Sequence, residues 1–121
     1  MAIADGRIPE AGDVFWVDFG SPVGHEQAGR GPALGVSPRA YNEISSVFLV
    51  CPISRRERAW PFQVRVPLIG RIEGYALVDQ VKTVDPSARY CRYVGHADSS
   101  LLQGVRRQLA ILLQTALPMG E

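Results

Sequence analysis

The chain is short of the residues that usually announce a function. Its 121 residues hold two cysteines, Cys51 and Cys91, and no Cys-x-x-Cys spacing. That excludes a zinc ribbon and a disulfide framework. Both thiols sit in apolar or aromatic runs, Phe48-Leu49-Val50-Cys51 and Tyr90-Cys91-Arg92-Tyr93. They are expected as small buried hydrophobes that suit a reducing cytoplasm. Two histidines, without acidic or thiol partners at ligand spacing, argue against a metal site, so no cofactor is expected. Neither sign of charge dominates: Lys and Arg number 13, Asp and Glu 12, for a net charge of +1. Global electrostatics therefore selects neither nucleic acid nor an acidic partner, and only local clusters carry information. No apolar run approaches the length of a membrane span, and residues 1–9 lack the apolar centre of a signal peptide.

What is present is the composition of an ordinary folded domain, 46% apolar and 21% charged. The length suits one modest core, so one domain over residues 1–121 is expected. Val14 to Phe19 is aromatic and β-branched after the Gly12-Asp13 turn and predicts a strand. Ala33 to Ser37 predicts a second, closed by Pro38. Ser46 to Pro52 is a continuous apolar strand buried on both faces. Phe62 to Val66 alternates as a half-buried strand does. Residues 71–82 predict a strand pair or one bent strand, and 83–85 and 89–94 the last ones. Leu101, Val105, Leu109, Leu112, Leu113 and Ala116 recur at helical spacing, with Ser100 and Gln103 resembling a capping box and Pro118 ending the helix. Strands first and a helix last define an α+β chain: a small, strongly bent sheet or barrel carrying a C-terminal helix.

The chemistry concentrates in a loop. Gly24-His25-Glu26-Gln27-Ala28-Gly29-Arg30-Gly31-Pro32 gathers an imidazole, a carboxylate, an amide and a guanidinium between two strands. Cleavage of RNA by its own 2′-hydroxyl needs a base, an acid and a cation on the crowded phosphorane. Glu26 and His25 can act as base or acid, and Arg30 can grip phosphate oxygens. A merely solvated loop is the competing reading. Arg55, Arg56 and Arg58 beside Trp60 suit single-stranded nucleic acid, the ring stacking on a base and the cations meeting phosphates. Equally, Trp60 caps the core. Ser54 offers a hydroxyl to a phosphate or closes its own turn. Asp79 and Gln80, at a strand end, contact a base edge or bond turn amides. His96, just before the helix, is expected as a loop residue.

These motifs, in order, resemble the MazF/Kid/PemK family of toxin–antitoxin endoribonucleases from about Pro9 to Leu117. The carriers are Gly12-Asp13-Val14-Phe15-Trp16-Val17-Asp18-Phe19, Gly24-His25-Glu26-Gln27-Ala28-Gly29, Pro32-Ala33, Ser37-Pro38, Tyr41-Asn42, Pro52-Ile53-Ser54, Pro61-Phe62 and Ala76-Leu77-Val78-Asp79-Gln80-Val81-Lys82. The resemblance implies an SH3-like barrel of the CcdB/Kid/MazF type, a homodimer in the cytoplasm and an antitoxin whose flexible tail covers the site. It implies metal-independent cutting of single-stranded RNA at short sequences, leaving a 2′,3′-cyclic phosphate and a 5′-hydroxyl. Catalytic roles would fall to Glu26, Arg30, Ser54 and His25, and RNA binding to Gln27, Arg55, Arg56, Arg58, Trp60, Asp79 and Gln80. One departure stands out. The family arginine before the proline is Gly31 here, and the guanidinium lies one residue earlier, at Arg30. The arginine that the Kid branch has two residues before the aspartate is likewise replaced, by Leu77. A catalytically impaired homologue that binds an antitoxin or another protein, as gyrase-poisoning toxins of related fold do, is the alternative.

Overall fold

The structure, a computed structural model, describes residues 3, 6–20, 24 and 29–115. Its strands are β1 (Asp13–Asp18), β2 (Arg30–Gly35), β3 (Phe48–Ser54), β4 (Gln63–Ile69), β5 (Ile72–Leu77), β6 (Lys82–Val84) and β7 (Cys91–His96). They form one antiparallel sheet in the order β4-β5-β3-β2-β1-β7, with β6 paired to β3. The sheet curls into a half-barrel. A short helix α1 (Arg39–Ile44) joins β2 to β3, and α2 (Ser99–Leu113) follows β7.

Alternation along β1 explains why the sheet is buried on both sides. Val14 packs with Leu34, Cys51, Ile53, Val66, Ala76, Leu101 and Val105 between the curled sheet and α2, and Trp16 packs at the margin of that core. Phe15 and Val17 point to the opposite face and pack with Ala33, Phe48, Val50, Val84 and Cys91. There Phe15 meets Phe48 and Tyr93 edge-to-face, with ring centroids at 5.2 and 6.0 Å. β3 supplies both cores, as its unbroken apolar run predicts, while β1 does so by strict period-2 alternation.

The half-barrel closes where the β4–β5 turn meets β7. A Cβ added at Gly70 would lie 2.9 Å from Val94 Cγ1, and one at Gly95 would lie 2.8 Å from Ile69 Cγ2. Glycine at each position lets the backbone lie directly against the side-chain methyl of the opposite segment. A Cβ at Gly74 would likewise collide with the Ser54 carbonyl, so glycine lets β5 lie against the end of β3.

Several expectations need correction. Residues 71–82 are neither one bent strand nor a simple pair: β5 ends at Leu77, a 3-10 turn spans Val78–Gln80, and β6 begins at Lys82. Helix α1 carried no sequence signal, because six residues are too few to show a period and its buried side chain, Asn42, is polar. The cap of α2 is Asp98, whose carboxylate accepts from the Leu101 N–H, while the Ser100 hydroxyl donates to that same carboxylate. The capping box from Ser100 to Gln103 is not used. Leu101, Val105 and Leu109 pack as the periodicity requires, but Leu112 and Leu113 are exposed. The helix ends at Leu113 with Gln114 left-handed; Ala116 and Pro118 lie outside the described residues.

Candidate nucleic-acid site at the barrel mouth

The Gly-rich loop leaves and re-enters the sheet through a closed neck. The Phe19 N–H donates to the Gly29 carbonyl and the Gly29 N–H to the Gly20 carbonyl, both at 2.8 Å. Gly20 and Gly29 take positive φ of 80° and 70°, a region that side chains avoid. His25, Glu26 and Gln27 lie outside the described residues.

Beyond the neck, Arg30 opens β2 opposite Asp18, Gly31 pairs with Val17, and Pro32 pairs with Trp16. The pairing fixes what the one-residue shift means. Position 31 shares its face with Val17 and Ala33 of the Phe15 core, whereas Arg30 shares its face with Trp16 and Pro32. The Arg30 guanidinium stacks on the Tyr90 ring, 4.2 Å from its centroid. Tyr90 lies beyond β1, since the Asp18 N–H donates to the Tyr90 carbonyl. The head of Arg30 is thus drawn towards β7, on the side of β2 away from β3.

β2 and β3 part company after Ala33 and Pro52, and β3 continues by pairing Ile53 and Ser54 with β5. The parting opens a cavity of about 250 Å³ lined by Trp16, Arg30, Gly31, Pro32, Ile53, Ser54, Arg55, Arg71, Ile72 and Glu73. Three arginines, a serine, a glutamate and a tryptophan line it, although the Arg30 head leans on Tyr90. Ser54 and Arg55 were expected at such a site; Trp16, Arg71 and Glu73 were not. Glu73 pairs across the hairpin with Arg65, at 3.7 Å between exposed side chains. Arg71 makes no ion pair among the described residues. Its sequence signal was Gly70-Arg71 between two strand-like runs, which marks a hairpin turn but not where the turn lands.

Ser54 also borders a smaller cavity of about 80 Å³ lined by Arg58, Trp60, Gln63, Leu77, Asp79 and Gln80. The Trp60 indole N–H donates to Asp79 at 3.0 Å, and the ring packs edge-to-face on Phe62. Trp60 is half-exposed. The Gln63 side chain shapes the 55–62 segment: its Oε1 accepts from the Arg58 N–H and its Nε2 donates to the Arg56 carbonyl. The Ser54 hydroxyl accepts from the Arg56 N–H at 3.1 Å, so it does close its own turn, yet it stays at the junction of the two cavities. Beneath them Cys51 is pushed up to about 12, first by burial and then by the Asp79 charge, and remains a thiol. His96 lies away from this surface at the end of β7, its Nδ1 2.7 Å from the buried Asp13 carboxylate. Among the described residues no three His, Cys, Asp or Glu side chains converge as a metal site would require.

A curled antiparallel half-barrel with one C-terminal helix and a cation-rich, aromatic-flanked mouth is the class of protein these features define. Residues 10–113 match the family of the PemK-like, MazF-like toxins of type II toxin–antitoxin systems, and the chain belongs to that family. It is 35% identical over 106 residues to the endoribonuclease toxin MazF of Escherichia coli K12, covering 88% of this chain and 95% of that one. The endoribonuclease toxin ChpB of the same organism is 33% identical over 110 residues, covering 87% of this chain and 94% of that one. The crystal structure of MazF from Deinococcus radiodurans superposes with a TM-score of 0.82 at 35% identity, over 89% of this chain and 98% of that chain. A MazE–MazF complex from the same organism superposes at 0.78, with 35% identity over 90% and 98% of the two chains. No helix among the described residues is long and apolar enough to cross a membrane.

Proposed function

We propose that the chain is a toxin that cuts single-stranded RNA, mRNA included, without a metal, and so arrests translation and growth. The observation that carries this reading is the mouth itself: Ser54 stands between a cavity rich in guanidinium groups and one floored by Trp60 and Asp79. A phosphate fits the first and an unstacked base the second.

In the reaction the RNA 2′-oxygen attacks the adjacent phosphorus while Glu26 takes its proton. The phosphorane charge is met by the guanidinium groups lining the cavity, with the Ser54 hydroxyl donating to a phosphate oxygen. The bond to the 5′-oxygen breaks, and that oxygen takes a proton from His25. The products are a 2′,3′-cyclic phosphate and a 5′-hydroxyl. Arg55, Arg56, Arg58 and Gln80 line the path of the strand, and Gln27 is assigned a contact with the RNA as well. The chain acts in the cytoplasm as a homodimer, and an antitoxin segment laid along the same mouth blocks it, in keeping with the solved MazE–MazF complex.

The test is incubation with a long single-stranded RNA in EDTA, followed by mapping of the 5′ ends. Discrete cuts that vanish in Glu26→Ala support the reading; RNA left intact at high protein concentration sinks it. One observation favours the second reading, an impaired homologue that binds an antitoxin or another protein: position 31 is glycine and the nearest guanidinium, Arg30, is already stacked on Tyr90. Tight antitoxin binding without any cleavage would establish it.

A further inference from the structure

We propose that Arg71, on the β4–β5 turn, is the guanidinium that binds the scissile phosphate and stabilises the phosphorane in this chain. The inference rests on the endoribonuclease reading above and deepens it. Position 31 has no side chain, so the charge must come from another residue on the mouth, and Arg30, Arg55 and Arg71 line it. These three are not equivalent.

Arg30 is already engaged. Its head lies over the ring of Tyr90, which precedes β7, while β3 lies on the other side of β2. Reaching a phosphate beside Ser54 would mean giving up that stack. Arg55 follows Ser54 directly, where β3 ends and an irregular segment begins, and it also lines a second cavity with Arg65, Glu73 and Tyr75. Arg71 differs from both. It occupies a two-residue turn between the paired Ile69 and Ile72. Gly70 supplies the turn's positive φ of 59°, and Arg71 itself needs none, which is the pattern of a type II′ hairpin. The turn is pressed onto β7 at Val94 and Gly95. Its backbone is therefore fixed by barrel closure.

The neighbouring carboxylate does not neutralise it. Glu73 lines the same cavity but pairs with Arg65. A cation that makes no ion pair among the described residues, is held on a rigid turn and lines the same cavity as Ser54 meets the requirement for electrostatic stabilisation: the charge is in place before the reaction develops its own. The guanidinium fork also suits two phosphate oxygens at once.

The experiment uses the full chain and an end-labelled RNA oligonucleotide carrying a mapped cut site, in EDTA, under single-turnover conditions. Arg71→Ala is expected to slow cleavage about 100-fold or more, and by about tenfold more than Arg30→Ala does. Binding of the same oligonucleotide with a 2′-deoxy sugar at the cut, which cannot react, should weaken by far less than the rate falls, because the contact matures in the transition state. Added guanidinium ion at about 10 mM should restore part of the Arg71→Ala rate, a rescue that a purely structural role would not allow. Should Arg71→Ala unfold the chain, Arg71→Lys keeps the charge but loses the fork, and a slowed rate at unchanged melting temperature supports the same assignment. The inference is overturned if Arg71→Ala cuts within about threefold of wild type, or if Arg30→Ala alone loses the rate. Wild-type protein that leaves the RNA uncut defeats the endoribonuclease reading itself, a distinct result.

Discussion

Ser37 and Ser54 show how one residue type is put to opposite uses. The buried Ser37 hydroxyl donates to Asn42 Oδ1 at 2.6 Å and accepts from the Leu49 N–H at 2.9 Å. Asn42 in turn donates to the Pro9 and Ser37 carbonyls. This node ties the segment before β1 and helix α1 to β3, and its polar capacity is spent inside the protein. The Ser54 hydroxyl accepts one turn N–H and borders two cavities lined by Arg55, Arg58 and Arg71, none of which makes an ion pair among the described residues. The difference is one of capacity: the Ser37 hydroxyl is satisfied by the fold, whereas the Ser54 hydroxyl keeps capacity for the ligand proposed above.

The largest effect should come from breaking the satisfied node. Asn42→Ala leaves the Ser37 hydroxyl and two carbonyls without their amide partner and should cost about 3 kcal/mol of stability, read as a lowered denaturation midpoint. Next, Ser54→Ala should leave stability within about 0.5 kcal/mol while slowing RNA cleavage about tenfold or more, an inversion of the Asn42 result. Equal losses of stability in the two variants would erase the distinction. Trp60→Ala should weaken binding of a non-cleavable RNA by about 1–2 kcal/mol, measured by titration, with little change in melting temperature.

The smallest effect concerns pH. The Ser100 hydroxyl, then the Leu101 N–H, hold the Asp98 carboxyl below its ordinary value of 3.8. A depressed carboxyl adds stability that is present above its unfolded value and is lost as pH falls through the folded one. Melting temperature should therefore drop below about pH 4, and drop less steeply in Asp98→Asn. An equal slope in both proteins would show that the exposed cap contributes nothing, in contrast to the buried node.

Much of this was legible in the chain. The strands around Val14, Val50 and Val64 announced themselves by alternation or by an unbroken apolar run, and α2 by its period. The ordered motifs from Gly12-Asp13 to Val81-Lys82 pointed to the family before any fold was known. The site was legible only in part: Ser54, Arg55 and Trp60 stood out as a cluster because they are close in sequence. Arg71, Trp16 and Tyr90 did not, since each looks like an ordinary turn or strand residue until its neighbours in space are known. The cap of α2 was misplaced by two residues because Asp98 and Ser100 are both good caps, and only the bond to Leu101 chooses between them.

The sequence by itself determined where the longer strands and the C-terminal helix lie, which residues carry charge or a ring, and to which family the chain belongs. Those properties depend on period, composition and order along the chain, all of which are local. Tertiary structure alone decided that Arg71 shares a cavity with Ser54, that Trp60 bonds Asp79, and that Arg30 leans on Tyr90. Each of these meetings spans a strand order, β4-β5-β3-β2-β1-β7, that does not follow the chain. The pairing is set by burial of the two cores on opposite faces of one curled sheet, and no local pattern encodes which distant residues that curl brings together.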